Sequence, residues 1–285
     1  MRKLKAIWEL TRLEHGLIYA FSLAIALIIA YRGMPDLQVA LAGSLAAIFA
    51  EMGTFALNDY YDVEVDRKNN RTDRPIVRGD ITKQEALTIT IVTLILSFIS
   101  VLFMNNIGAV ILVVVLVAFG ILYDWKLKEY GIWGNIYISF TMASPFLFGS
   151  VLFQSSHVLL VLSVIAFLIG VGREIMKGIM DVEGDALRDV KTVARLYGEK
   201  KATYVAVALY VAGMLLTPVP LFIGDPDFQT DPVYAVFAGL SVAILAWVCL
   251  KLLKSHDVKT IGKMRKMTLL AMMVALIAFL LGALV

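Results

Sequence analysis

Residues 37–66 read LQVALAGSLAAIFAEMGTFALNDYYDVEVD. The part from 37 to 57 is an apolar run in which Glu51 is the one charge. Its length matches the ~20 residues that an α-helix needs to cross about 30 Å of hydrocarbon. The character then changes. Asn58, Asp62 and Asp66 recur at i, i+4 and i+8, which places them on one face of a helix, stacked about 6 Å apart. The stretch predicts a membrane-spanning helix that ends in a row of oxygen ligands.

The rest of the chain agrees with a membrane setting. Of 285 residues, 60% are hydrophobic and 17% charged, and the mean hydropathy is +0.81. Ordinary globular domains hold about 45–50% apolar and about 25% charged residues. The apolar surplus needs a bilayer as solvent and excludes a soluble domain, a disordered chain and a disulfide scaffold. Apolar runs occur at 16–31, 37–57, 86–104, 107–123, 132–153, 157–172, 202–223, 233–250 and 267–285. They predict an all-α membrane protein of nine transmembrane helices, with the short first and fourth runs borrowing flanking residues. The N-terminus mimics a signal peptide, but its small residues Ala24 and Ala26 lie inside the first run, so a retained span is expected.

Charge sets the expected orientation. By this division 25 of the 26 lysines and arginines fall on one side, and only Arg32 on the other. The positive-inside rule makes the basic side cytoplasmic, with the N-terminus inside and the C-terminus outside. The connection 224–232 carries Asp225, Asp227 and Asp231 but no base, as an external loop should.

Two cytoplasmic connections are long and charged, 58–85 and 173–201, and the ligand row recurs in the second. Asp181, Asp185 and Asp189 repeat the spacing of Asn58, Asp62 and Asp66 at a constant offset of 123 positions. This predicts a single domain, 1–285, built as a parallel repeat of halves at about 1–130 and 131–285. Stacked carboxylates repel one another, and a helix C-terminus is already negative. A hard divalent cation relieves both effects. Magnesium takes one or two carboxylates and completes its shell with water and phosphate. Bases surround both rows: Arg67, Lys68, Arg71, Arg74 and Arg78 follow the first, while Arg173, Lys177, Lys191 and Arg195 flank the second. Carboxylates, a cation and arginines suit a diphosphate. Solvated, topology-setting charge is the bland alternative, and the matched pair of rows argues against it.

These residues resemble the UbiA-type intramembrane prenyltransferases. Asn58-Asp59-Tyr60-Tyr61-Asp62 with Asp66 is similar to that family's NDxxDxxxD motif. Arg74-Pro75-Ile76-Val77-Arg78-Gly79 is similar to its RPxxxG element. Tyr123-Asp124-Trp125-Lys126-Leu127-Lys128 is similar to its tyrosine–lysine connection, and Asp181 and Asp185 to its DxxxD motif, with Lys191 behind. The resemblance covers nearly the whole chain. It implies a helical bundle around a central cavity, Mg²⁺-dependent ionisation of an isoprenyl diphosphate donor, and transfer of the prenyl group to a lipid-like or aromatic acceptor.

On that resemblance, two Mg²⁺ ions are expected on Asn58, Asp62, Asp66, Asp181 and Asp185. The four aspartates carry the catalytic charge. Asp59 is set lower because it is offset from the shared face, and Asp189 because it is about 12 Å from Asp181. Arg71, Arg74, Arg78, Lys126, Lys128 and Lys191 would clamp the diphosphate. Tyr60, Tyr61, Tyr123 and Tyr137 could face the carbocation, since aromatic faces stabilise cations; interfacial belt residues are the rival reading. Glu51 is an intramembrane carboxylate, which is functional by default, and is expected to line the acceptor pocket or meet a basic partner. Arg173 and Lys177, one turn apart and just before Asp181, could bind an acceptor phosphate or pair with Glu174 and Asp181. The stretch from Gly172 to Asp185 resembles the archaeal lipid branch of the family, whose acceptor is geranylgeranylglyceryl phosphate. His15 departs from the asparagine expected in that branch after Arg12.

Other chemistries lack their signatures. His15, His157 and His256 are far apart, and Cys249 is alone in an apolar run, so neither a zinc site nor an internal disulfide is expected. No Walker loop, nucleophile elbow or dinucleotide fingerprint occurs, and no soluble basic face suits nucleic acid. A transporter should carry its charges near the midplane, whereas here they gather at the cytoplasmic mouth. A membrane diphosphatase is a third reading.

Overall fold

The computed structural model describes residues 2–152, 157–182, 190–225 and 228–284. No strand occurs among them. Nine helices of the described chain are long and apolar enough to cross a membrane. They divide between two compact units, Met1–Leu27 with Pro35–Trp125, and Ile28–Met34 with Lys126–Val285.

The first unit holds α1 (Arg2–Thr11), most of α2 (Leu13–Tyr31), α3 (Leu37–Lys68), α4 (Pro75–Arg78), α5 (Lys83–Leu102) and α6 (Ile107–Trp125). Asp36 caps α3, accepting from the backbone N–H groups of Gln38 and Val39. The 32 residues of α3 span about 48 Å at 1.5 Å per residue, well beyond the ~30 Å of hydrocarbon. The second apolar run therefore ends at 57 while the helix continues to Lys68, because only the composition changes there. Its partner is α5, and small residues let the two backbones meet. A Cβ on Gly53 would sit 2.7 Å from the Leu94 side chain, and Ser97 Oγ donates to the Ala46 carbonyl at 2.7 Å. A Thr82–Glu85 capping box starts α5, ahead of the expected 86. Amphipathic α1 lays Ala6 and Leu10 against Ala56, Val63, Ile76, Ile81 and Ala86.

The second unit holds a 3₁₀ turn (Leu127–Tyr130), α7 (Ile132–Leu152), α8 (His157–Met180), α9 (Val193–Tyr197), α10 (Glu199–Leu216), α11 (Pro232–Lys254) and α12 (Val258–Gly282). Its centre is α8: 67% of its apolar window is buried, against 22–39% for the other eight spans. Gly170 and Gly172 bring α8 against Ser139 of α7 and Tyr210 of α10. The last span begins at Val258, nine residues before the expected 267. Asp257 caps it there, and its first turns carry Lys259, Lys263, Arg265 and Lys266. Here, as in α3, the helix outruns the apolar run.

Candidate functional site

The last turns of α3 organise the site in the first unit. Asn58 donates through Nδ2 to Asp124 Oδ1 at 2.7 Å. An ionised carboxylate accepts only, so this contact holds the Asn58 amide with its Oδ1 left as a ligand. Asp124 is buried at the end of α6. The motif pattern assigns it no task; a carboxylate closing an apolar run is the one signal that the sequence offers. Asp62, one turn on, is half-buried, and Asp66 is buried.

Asp59 faces elsewhere. It is only 2% exposed, and Oδ1 meets Arg12 Nη2 at 2.9 Å and Arg74 Nη1 at 3.2 Å. Its Oδ2 is buried without a hydrogen-bond partner. Arg74 reaches Asp66 as well, Nε to Oδ2 at 3.6 Å. A buried carboxylate is costly unless it is paired, and two guanidinium groups answer this one. Arg12 is a second residue that the sequence left without a role. It sits between α1 and α2 with φ +43°, a left-handed conformation that non-glycine residues seldom adopt and that clusters at functional sites. Its guanidinium lies 4.4 Å from the Phe55 ring centroid, and burial pulls its pKa below the ordinary arginine value against the pull of Asp59. Glu51, Phe55 and Asp59 follow at i, i+4 and i+8 on α3, and Arg12 is the cation within electrostatic reach of Glu51. Among the described residues Arg12 forms its ion pair with Asp59 and none with Glu51.

The other arginines of the first unit are held by local carboxylates. Arg71 forms a fork with Asp73, with both bonds at 2.8 Å, and holds that carboxyl down to about 2. Arg78 bonds Asp80 at 2.7 Å and also Glu9 of α1. Tyr60 carries Lys83 Nζ 4.6 Å over its ring and meets Tyr61 edge-on at 5.5 Å. Tyr61 is exposed and Tyr123 half-buried.

In the second unit, Asp181 is exposed, and its N–H donates to the Lys177 carbonyl at 3.1 Å. Asp185, with Asp189, lies outside the described residues. Lys126 bonds Glu129 at 2.9 Å, Lys128 is half-buried, and Lys191 is exposed. One contact draws these three bases into a common neighbourhood. The Lys191 N–H donates to the Glu129 carbonyl at 3.4 Å, and a Cβ on Gly131 would lie 1.9 Å from the Lys191 carbonyl oxygen. Gly131 also has φ +53°. Only glycine combines that conformation with so close an approach. Tyr137 is buried on α7. Arg173 is held by α12 and Lys177 pairs with Glu174 at 3.8 Å, so these two bases have separate partners.

The donor set fits a hard cation. The α3 row offers two carboxylates and an oriented amide oxygen, with no soft ligand. Among the described residues no three acidic, histidine or cysteine side chains gather to hold a metal unaided. Magnesium does not require this, because water and substrate phosphate complete its shell.

Fold and site together define a multi-pass helical membrane protein with an oxygen-ligand row beside paired arginines. The chain matches the UbiA prenyltransferase family over residues 19–277 and belongs to it; it is a membrane prenyltransferase. It is 46% identical to the digeranylgeranylglyceryl phosphate synthase of Archaeoglobus fulgidus, over 99% of this chain and 96% of that one. A solved structure concerning digeranylgeranylglyceryl phosphate synthase in membranes superimposes with a TM-score of 0.87 at 30% identity, covering 100% of this chain and 99% of that one. A UbiA homologue from Archaeoglobus fulgidus, solved bound to DMAPP and Mg²⁺, shares the fold with a TM-score of 0.70 at 18% identity, over 96% and 98% of the two chains.

Proposed function

We propose that this chain is a Mg²⁺-dependent enzyme of ether-lipid synthesis that transfers a geranylgeranyl group from its diphosphate to geranylgeranylglyceryl phosphate. The observation that carries the reading is the α3 row of Asn58, Asp62 and Asp66, with Asn58 oriented by Asp124. The 46% identity over nearly the full length to a synthase of that name supports the choice of acceptor.

In this reading Asn58, Asp62 and Asp66 hold one Mg²⁺, and Asp181 and Asp185 a second. The ions supply charge that stabilises the departing diphosphate. Arg71, Arg74, Arg78, Lys126, Lys128 and Lys191 take the diphosphate oxygens, exchanging their present carboxylate or backbone partners for phosphate where they have them. The allylic C–O bond breaks and its electron pair leaves with the diphosphate. The acceptor hydroxyl oxygen forms the new C–O bond, and its proton passes to water or the released diphosphate. Tyr60, Tyr61, Tyr123 and Tyr137 are the candidates to face the carbocation, and Glu51 with Arg12 lines the acceptor side. The basic connections face the cytoplasm, with the N-terminus inside and the C-terminus outside, supported by 25 of 26 basic residues on one side. The two halves, about 1–130 and 131–285, form one domain by repetition, supported by the 123-residue offset of the ligand rows.

The test is transfer by the purified protein from geranylgeranyl diphosphate, with geranylgeranylglyceryl phosphate or 4-hydroxybenzoate as acceptor and EDTA as control. An ether product that vanishes with EDTA supports the reading. A product with 4-hydroxybenzoate alone would move the enzyme to quinone-type chemistry, and diphosphate release without transfer would make it a diphosphatase. Asp62→Ala and Asp185→Ala should each remove nearly all turnover in protein that still folds; near-normal rates in both would end the metal assignment.

A further inference from the structure

Two cations inside the second unit form no ion pair among the described residues. Arg173 lies on α8 and Arg265 on α12. Glu174, next to Arg173 in the chain, meets Lys177 instead at 3.8 Å. Arg173 Nη1 is anchored, donating to the Arg265 carbonyl at 2.6 Å and to Thr268 Oγ1 at 2.7 Å. Its Nη2 and Nε make no bond to a described residue. Arg265 Nε is buried and also lacks a partner.

The packing that creates this arrangement is specific. Gly172 has no side chain, and a Cβ there would meet the Tyr210 ring at 2.5 Å. Tyr210 fills that space and turns its hydroxyl to Met176 Sδ at 2.9 Å. Arg173, the next residue along α8, reaches α12.

A buried charged donor left unanswered, such as Arg265 Nε, is costly. An anion would answer it, and guanidinium forks match phosphate geometry. Two guanidinium groups suit a phosphate monoester, which carries about −1.5 to −2 at neutral pH, better than a phosphodiester headgroup with one charge.

We propose that Arg173 and Arg265 together bind the phosphate monoester of the acceptor lipid, at a site separate from the ligands of the donor diphosphate. This rests on the prenyl-transfer reading above. It replaces the pairing of Arg173 with Lys177 expected from sequence, because Lys177 is exposed and already engaged by Glu174.

The test is steady-state transfer by the purified full-length protein at saturating Mg²⁺ and donor, with the glyceryl phosphate acceptor varied. Arg265→Gln should raise the acceptor KM about ten- to hundredfold, the loss expected for a charged hydrogen bond, and leave the donor KM within about twofold. Arg265→Lys, which keeps the charge without the fork, should recover part of the loss. Independently, glycerol 1-phosphate should raise the melting temperature of the wild type and not that of Arg173→Gln or Arg265→Gln, and phosphatidylglycerol vesicles should not compete. An unchanged acceptor KM in Arg265→Gln, or an equal rise for the donor, overturns the proposal. Competition by phosphatidylglycerol would make the site a headgroup site and overturn it too. If the wild type transfers nothing, the enzyme reading fails by itself, and glycerol 1-phosphate binding still decides the site. If Arg265→Gln does not fold, Arg173→Lys and Arg265→Lys carry the same comparison.

Discussion

The contact between Asn58 and Asp124 shows why one member of the first ligand row is an amide. At 2.7 Å a second carboxylate would face Asp124 charge to charge. Asn58→Asp should therefore lower thermal stability and abolish most turnover. Adding Asp124→Asn restores one amide and one carboxylate, and should recover stability well beyond either single variant; a double-mutant cycle reads this coupling. Asp59 makes a different prediction. Asp59→Asn leaves Arg12 and Arg74 without their buried carboxylate, and removing one partner of a buried pair costs about 3–5 kcal/mol. Denaturation in detergent should show that loss. A variant as stable as the wild type would mean that the triad carries little of the fold. In the motif legible in the sequence, only contacts separate Asp59, paired with Arg12 and Arg74, from the row of Asn58, Asp62 and Asp66 proposed as ligands.

At the scale of elements, α1 is fastened to the first unit by two kinds of contact with unequal weight. Lys3 to Glu85 at 2.5 Å is solvent-exposed, and such pairs contribute about 0–1 kcal/mol. Leu10 is fully buried in the cluster with Ala56, Val63 and Ile76. Lys3→Gln should change stability by less than about 1 kcal/mol, whereas Leu10→Ala should cost about 2–5 kcal/mol, both read from denaturation midpoints. Because Glu9 of α1 holds Arg78, the second loss should also lower activity. In the second unit, Gly131→Ala would drive a methyl into the Lys191 carbonyl at a left-handed φ. Turnover should fall at least about tenfold, the effect of misplacing catalytic groups by about an ångström, with the donor KM raised if the three lysines serve the diphosphate.

At the scale of the whole molecule, the orientation proposed from the charge count can be measured directly. Met34 is 87% exposed in the connection after α2, while the native Cys249 is buried. A cysteine at Met34 should react with a membrane-impermeant maleimide in right-side-out vesicles, and one at Lys201 only after permeabilisation. The reverse pattern would invert the topology and detach the positive-inside argument from this chain.

The sequence by itself determined the membrane class, the count of spans and the family, because each rests on local signals: apolar length, charge sidedness, and motifs whose spacing survives without coordinates. It could not end α3 or begin α12, since a helix that leaves the hydrocarbon keeps its hydrogen bonds while its composition turns polar. Nor could it give Arg12 to Asp59, Asn58 to Asp124, or Arg173 to α12. Those pairings join residues 47, 66 and 92 positions apart. Only tertiary structure decided them, because burial determines which charges must find a partner, and the approach of helix to helix determines which partner is in reach.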